Sequence, residues 1–424
     1  MTDVENYSNL IEEIFGVGTT SFDKTKEVYN HVIGALNCST DFFEFKANFT
    51  ARLKRLKEIY GNEPSLLEQV NLIADVNNWE GAYAELAAYD KLNETDLLIR
   101  PIKLNIDVDK EKTFMLELGG KKANLDGFIE DYDIYFDVKC FKDNVIDILK
   151  GIYKEIESYF GFKHLHISEE YALDVSFDDF QNKRKDLLNE LKNKLWNIIH
   201  NSINSISQKY DLNITCHNFK DKLREVSPEV RVELLTALRS LNITSITSDI
   251  IRNLSYKIMW DKGILTAFRT YHPHRHAENY HKLVFNYAKK FHKEKPSLII
   301  FVVFPWYNLL VRVADDKRTN DENSMIYRLL ARRVFCQYKH EKTLFKSFNS
   351  KFCGEQTMNE ISNNLSGIIF LEDNTILSEN PKSTNVKSYV YLNPNAKNPL
   401  RGLDIDYIHS ICDDSFEDFE YDNY

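Results

Sequence analysis

Two aspartates and a lysine lie close together in Leu125–Lys139, LDGFIEDYDIYFDVK, where apolar residues alternate on both sides of Glu130-Asp131-Tyr132-Asp133. The alternation predicts two strands, and the four turn-forming residues a hairpin between them. With Ile129 facing Ile134, Asp126 falls opposite Asp137, and Leu125, Gly127, Ile129, Ile134, Phe136 and Val138 share an uncharged face. The other face carries Asp126, Phe128, Tyr135, Asp137 and Lys139. Carboxylates opposed about 5 Å apart repel by roughly 3 kcal/mol at an effective dielectric of about 20. A hard divalent cation turns that repulsion into attraction, and Mg2+ takes one or two protein carboxylates together with water and substrate phosphate oxygens. Lys139, on the same face, is placed to orient or deprotonate a water, or to stabilise a pentavalent phosphate. The spacing alone equally admits a solvated polar face on which Lys139 pairs with Asp137.

Asp126 and Asp137 with ten residues between them, followed by Val138-Lys139, resemble the signature of the PD-(D/E)XK nuclease superfamily. Leu125 stands where the pattern usually has proline. The resemblance covers Trp79–Tyr159 directly and Ala277–Trp306 more loosely. It implies a restriction-endonuclease-like α/β core, a mixed central sheet flanked by helices. It further implies that Asp126, Asp137 and the Val138 carbonyl hold Mg2+, with Mn2+ as a substitute, and that Lys139 positions or activates water. Glu85, on the helix before the sheet, would add a metal or water ligand, with Glu80 as the fallback. The expected activity is Mg2+-dependent hydrolysis of DNA phosphodiester bonds, in duplex DNA and in a restriction or defence setting. The superfamily also holds repair, recombination and RNA-cleaving members. Two rivals stay open: a noncatalytic nucleic-acid-binding or assembly protein on the same fold, and a metal-dependent hydrolase of another substrate.

The surrounding chain has to position these groups. Residues 1–64 read as helical, with Asp41–Tyr60 amphipathic and carrying Arg52, Lys54, Arg55 and Lys57 on what is read as a solvated face. A helical pattern restarts at Pro64-Ser65 and runs to Leu92, and its small and aromatic residues suit packing on a sheet. LLIRPIKLNI and TFMLEL read as strands, with Gly119-Gly120 turning into the hairpin. Asn144–Phe160 is expected as the helix crossing the sheet and HLHISEEYAL as the next strand, so that residues 65–175 form the first half of the core. Residues 176–262 read as a helical insertion or recognition module, 263–400 as the second half, and 401–424 as an acidic tail.

In the second half, SLIIFVVF (Ser297–Phe304) reads as a strand buried on both faces. The aromatic run Phe304-Pro305-Trp306-Tyr307 suits core packing or base stacking. The segment Tyr271–His276, YHPHRH, admits a zinc ligand set, a phosphate-contacting loop or a structural loop. His274 and Arg275, with Lys289 and Lys290 on the next helix, are the candidate nucleic-acid contacts. Arg328, Arg332 and Arg333 form a possible basic stripe.

Composition narrows the classes. A net charge of −10 argues against a general nucleic-acid coat protein but not against an enzyme meeting DNA through one basic groove. Six cysteines without a CxxC pair indicate neither a zinc ribbon nor a disulfide framework. The polar, acidic start and the short longest apolar run lead to the expectation of a cytoplasmic protein with no membrane segment. Lys, Asn and Ile richness suits a low-GC bacterium. Only 14 glycines and no P-loop pattern argue against ATP use. A homodimer is compatible with the resemblance.

Overall fold

The computed structural model describes residues 5–16, 18–20, 30–38, 42–75, 77–115, 122–142, 144–161, 165–171, 177–241, 244–260, 273–304, 320–337, 357–373, 386–412 and 415–418. The chain divides into two compact units, Met1–Lys142 with Tyr280–Arg312 and Lys317–Tyr424 forming the first, and Asp143–Asn279 with Val313–Asp316 the second. The first unit begins with helices α1 (Glu5–Phe15), α2 (His31–Asn37), α3 (Phe43–Tyr60), α4 (Pro64–Leu72) and α5 (Trp79–Leu92). Strands β1 (Lys103–Asp109), β2 (Lys122–Ile129) and β3 (Ile134–Cys140) follow. The helical pattern expected to run to Leu92 is thus two helices. Pro64 suits the first turn of α4, where no backbone N–H is needed.

The second unit holds α6 (Asn144–Phe160), β4 (Leu165–Tyr171), α7 (Phe177–Lys209), α8 (Phe219–Glu225), α9 (Pro228–Arg239), β5 (Thr244–Thr247) and β6 (Leu254–Trp260). Helix α10 (Pro273–Ala288) leads back to β7 (Ser297–Val303), α11 (Asn320–Cys336), α12 (Met358–Asn363), β8 (Gly367–Asp373), β9 (Val386–Leu392), α13 (Leu403–Ile411) and β10 (Ser415–Asp418).

Among the described residues the first unit is built on a seven-stranded mixed sheet in the order β1-β2-β3-β7-β8-β9-β10. The antiparallel hairpin β2–β3 is joined to β7 and β8 by parallel pairing, Asp137 lying beside Ile299 and Ile299 beside Ile368. All seven residues of β7 are buried, because helices cover both faces of the central strands. On one face Phe136, Val138, Ile300, Val302 and Leu371 join a core with α1–α5 and α13. On the other, the Phe301 and Phe370 rings stack 5.2 Å apart and Tyr327 of α11 stacks on Phe370 at 4.4 Å.

Several expectations change. Helix α6 does not cross this sheet: its apolar stripe, Val145, Leu149, Ile152, Ile156 and Phe160, is buried in the second unit's own core with Leu187, Leu191 and Leu195 of α7. Strand β4 does not extend the core sheet either. It pairs with β6, which pairs with β5, in a separate antiparallel sheet. The first half of the core therefore ends at Lys142 rather than 175, and the inserted unit contains a sheet. The acidic end is not a free tail through Asp418: β10 pairs in parallel with β9, and Tyr407, Ile408 and Ile411 of α13 are buried.

Arg52 is not on a solvated face. It is buried, with Nη2 2.9 Å from Asp373 Oδ2, and the Tyr83 hydroxyl donates to the same oxygen at 3.1 Å. Of TFMLEL, Thr113–Met115 is not strand, and the remainder lies outside the described residues, as do Gly119-Gly120, Tyr271, His272 and Pro305-Trp306-Tyr307. No described helix is long and apolar enough to cross a membrane.

Candidate active site on the β2–β3 hairpin

The hairpin has the expected start: Ile129 faces Ile134 and Phe128 faces Tyr135, whose rings lie 4.6 Å apart. The turn is closed by Asp133 in the left-handed region (φ 57°), a conformation Asp tolerates well. The ladder ends at Gly127↔Phe136. Gly127 is needed there, since a Cβ would come 2.2 Å from Cζ of the Phe136 ring and 2.8 Å from the Lys103 carbonyl oxygen. Beyond this point the strands part, so Asp126 and Asp137 are not a ladder pair. Asp126 Oδ2 instead accepts the Val138 backbone N–H at 2.6 Å, a partner the β2 backbone no longer supplies.

Lys139 Nζ lies where the oxygens converge. It donates to the Val138 carbonyl oxygen at 2.7 Å and to Asp126 Oδ2 at 3.2 Å, and it is 2.9 Å from Asp137 Oδ2. The Tyr287 ring of α10 stands behind it, its centroid 5.4 Å away. Lys290, just past α10, brings a second ammonium 3.7 Å from the same Asp137 oxygen. The Asp137 side chain is fully buried, yet neither of its oxygens accepts a well-directed hydrogen bond. Two ammonium groups thus face it, Lys139 at close range and Lys290 farther out.

Helix α5 supplies the rest. Tyr83 meets Phe304 edge-on at 5.0 Å and Tyr89 meets Phe136 edge-on at 6.4 Å, which seats the helix on the sheet. Tyr89 Oη lies 2.9 Å from Glu85 Oε2 and 3.1 Å from the Asp126 carbonyl oxygen, joining helix and strand. Glu80, the fallback, pairs instead with Lys142 at 2.9 Å.

The electrostatics follow from crowding charge in a dry place. Burial, then the negative charge of Asp126, pushes the Glu85 carboxyl up to about 8. Burial and Asp137 push Asp126 up to about 7. Burial also works to raise Asp137, but Lys139 and Lys290 outweigh it and hold the carboxyl below its usual value. Lys139 is opposed by burial yet held above its ordinary value by Asp137 and Asp126, so it stays an ammonium.

The donor chemistry suits a hard divalent cation. Two carboxylates and a backbone carbonyl already converge on one positive charge, and Asp137 has buried lone pairs to spare. Among the described residues no three His, Cys, Asp or Glu side chains converge as a metal-ligand group, so Glu85 stands beside the pair rather than completing a triad with it. His274 and Arg275 lie in the first turn of α10, but their side chains are outside the described residues. Lys289 Nζ donates to Asn286 at 3.2 Å on its own helix. Tyr89 and Tyr287 escape a motif search. Tyr89 had a legible signal, being four residues after Glu85 and so on the same helix face. Comparison with family models, curated proteins and solved structures finds no match to this chain.

Proposed function

We propose that this chain is a metal-dependent endonuclease of the PD-(D/E)XK kind, with a restriction-endonuclease-like core, hydrolysing phosphodiester bonds in duplex DNA with Mg2+. The observation that carries this reading is the Lys139 ammonium held by Asp126, Asp137 and the Val138 carbonyl at 2.7–3.2 Å, a cation in an oxygen cage. Asp126, Asp137 and the Val138 carbonyl would hold Mg2+, with Glu85 reaching it through water. The metal's chemistry there is to polarise the phosphoryl oxygen and to lower the pKa of a bound water.

The chain's own residues do the remainder. Asp126 stays fixed by the Val138 N–H, so its oxygen is aimed before any ligand arrives. Lys139, held as an ammonium, donates to the attacking water or to a phosphate oxygen rather than removing a proton. Tyr89 holds Glu85 against β2. A catalytically silent nucleic-acid-binding protein on the same fold is the second reading, favoured by Glu85 standing beside the aspartate pair rather than completing a triad with it among the described residues.

The test is incubation of the wild type and Asp137→Ala with labelled duplex DNA, single-stranded DNA and RNA, in Mg2+ and in EDTA. Duplex cleavage that needs Mg2+ and falls at least 100-fold in the variant is expected. Binding of duplex without turnover would favour the silent protein. Cleavage that survives in Asp137→Ala would place the active site elsewhere.

A further inference from the structure

We infer that Lys290 is the residue that receives the scissile phosphodiester, turning a cation site into a site for a metal-bound nucleic-acid backbone. This rests on the nuclease reading and deepens it. Lys290 is not part of the Asp126–Lys139 motif, and it reaches the hairpin from the segment after α10. Its nitrogen is 3.7 Å from Asp137 Oδ2, beyond hydrogen-bonding distance, and its side chain is 31% exposed. Lys139 is differently placed, with the Val138 carbonyl at 2.7 Å and Asp126 at 3.2 Å accepting from it. Moving Lys139 breaks these bonds. Moving Lys290 toward solvent breaks none with the carboxylates, so it is the ammonium free to turn to an incoming phosphate oxygen.

Neighbouring cations are engaged differently. Lys142 is committed to Glu80 at 2.9 Å, and Lys289 donates to Asn286 at 3.2 Å on its own helix. Lys290 is the one placed 3.7 Å from the Asp137 carboxylate.

The geometry agrees: Lys139 and Lys290 approach the same Asp137 oxygen, at 2.9 Å and 3.7 Å, and of the two it is Lys139 that also donates to Asp126 and to the Val138 carbonyl. The partner this chemistry defines is a nucleic-acid backbone bound through its phosphates, which on the nuclease reading is duplex DNA.

The experiment uses full-length wild type, Lys290→Gln and Lys290→Arg, with duplex DNA affinity measured in Ca2+ over a salt series and Mn2+ binding measured without DNA. Lys290→Gln should weaken duplex affinity about tenfold at moderate salt and lower the slope of log affinity against log salt by about 1, the loss of one phosphate contact. Lys290→Arg should restore the slope. Mn2+ affinity should be undiminished in Lys290→Gln, because the variant removes a competing cation from Asp137. Unchanged DNA affinity and slope in Lys290→Gln would overturn the assignment. Loss of Mn2+ binding would do so as well, by making Lys290 a support for Asp137. If the wild type binds duplex with the expected Lys290 dependence but never cleaves it, the nuclease reading fails and the phosphate role of Lys290 stands. If the wild type binds no duplex in any metal, both fall.

Discussion

Asp126 and Glu85 are carboxyls held against their preference for charge, and this has a consequence for stability. Their folded-state values, about 7 and about 8, lie above those of an unfolded chain. A raised carboxyl favours the folded state when protonated, so its contribution is full below about pH 4 and is lost as pH rises through about 7 to 8. Metal-free wild type should therefore lose more thermal stability between pH 5.5 and pH 8.5 than Glu85→Gln, by several degrees in Tm. An equal slope for the two proteins would show that Glu85 is charged at pH 5.5. Asp137 runs the other way: its lowered value favours folding above about pH 4, and that contribution is lost only on acidification. Because Glu85 and Asp126 carry protons near neutral pH, binding of Mg2+ should release protons, read as a dependence of binding heat on the ionisation enthalpy of the buffer. That Asp126, Asp137 and Lys139 lie together was legible in the sequence, since alternation along the hairpin puts them on one face. The depth of Asp137 was not: alternation says which residues share a face, and the covering partners Tyr287 and Lys290 lie some 150 positions away.

At the scale of elements, the hairpin comes apart at one residue. Gly127 lets the Phe136 ring lie across β2, the ladder stops there, and Asp126 turns to the Val138 N–H. Gly127→Ala must displace the ring and the Lys103 carbonyl, and a cost of about 1–3 kcal/mol in chemical denaturation is expected. Unchanged stability would mean that the ring moves freely. The register at Ile129↔Ile134 and the two-sided burial of β7 were readable, since period-2 alternation and an unbroken apolar run have few other solutions. Helix α6 shows where such reading stops. Its apolar stripe is evident from 3.6-residue spacing, but the stripe does not say which core receives it, and here that core is the second unit's. Strand β4 misleads for the same reason. Arg52 does so for another: a charge on an amphipathic helix reads as solvated until Asp373, 321 residues away, comes within 2.9 Å of it.

On the scale of the whole molecule, the chain leaves the mixed sheet of the first unit after β3, builds a second unit with its own core between Val145 and Ile258, and returns through α10 to lay β7 beside β3. The acidic C-terminal stretch is part of the first unit, held by the buried stripe of α13 and the pairing of β10 with β9, both of which its acidic composition hid. Deleting residues 401–424 removes Tyr407, Ile408 and Ile411 from the core and should abolish cooperative unfolding or lower Tm by more than 10 °C, read by calorimetry. A deletion variant as stable as the full chain would return this stretch to the status of an appendage. The central claim is that the oxygens now around the Lys139 ammonium form a divalent-cation site. Its most direct measurement is a Mn2+ titration followed by electron paramagnetic resonance, on wild type and on Asp137→Ala confirmed folded by circular dichroism, with and without duplex DNA. Saturable binding that Mg2+ displaces and that Asp137→Ala loses is the expected result. No binding by the wild type in either condition, or equal binding by the variant, would contradict it.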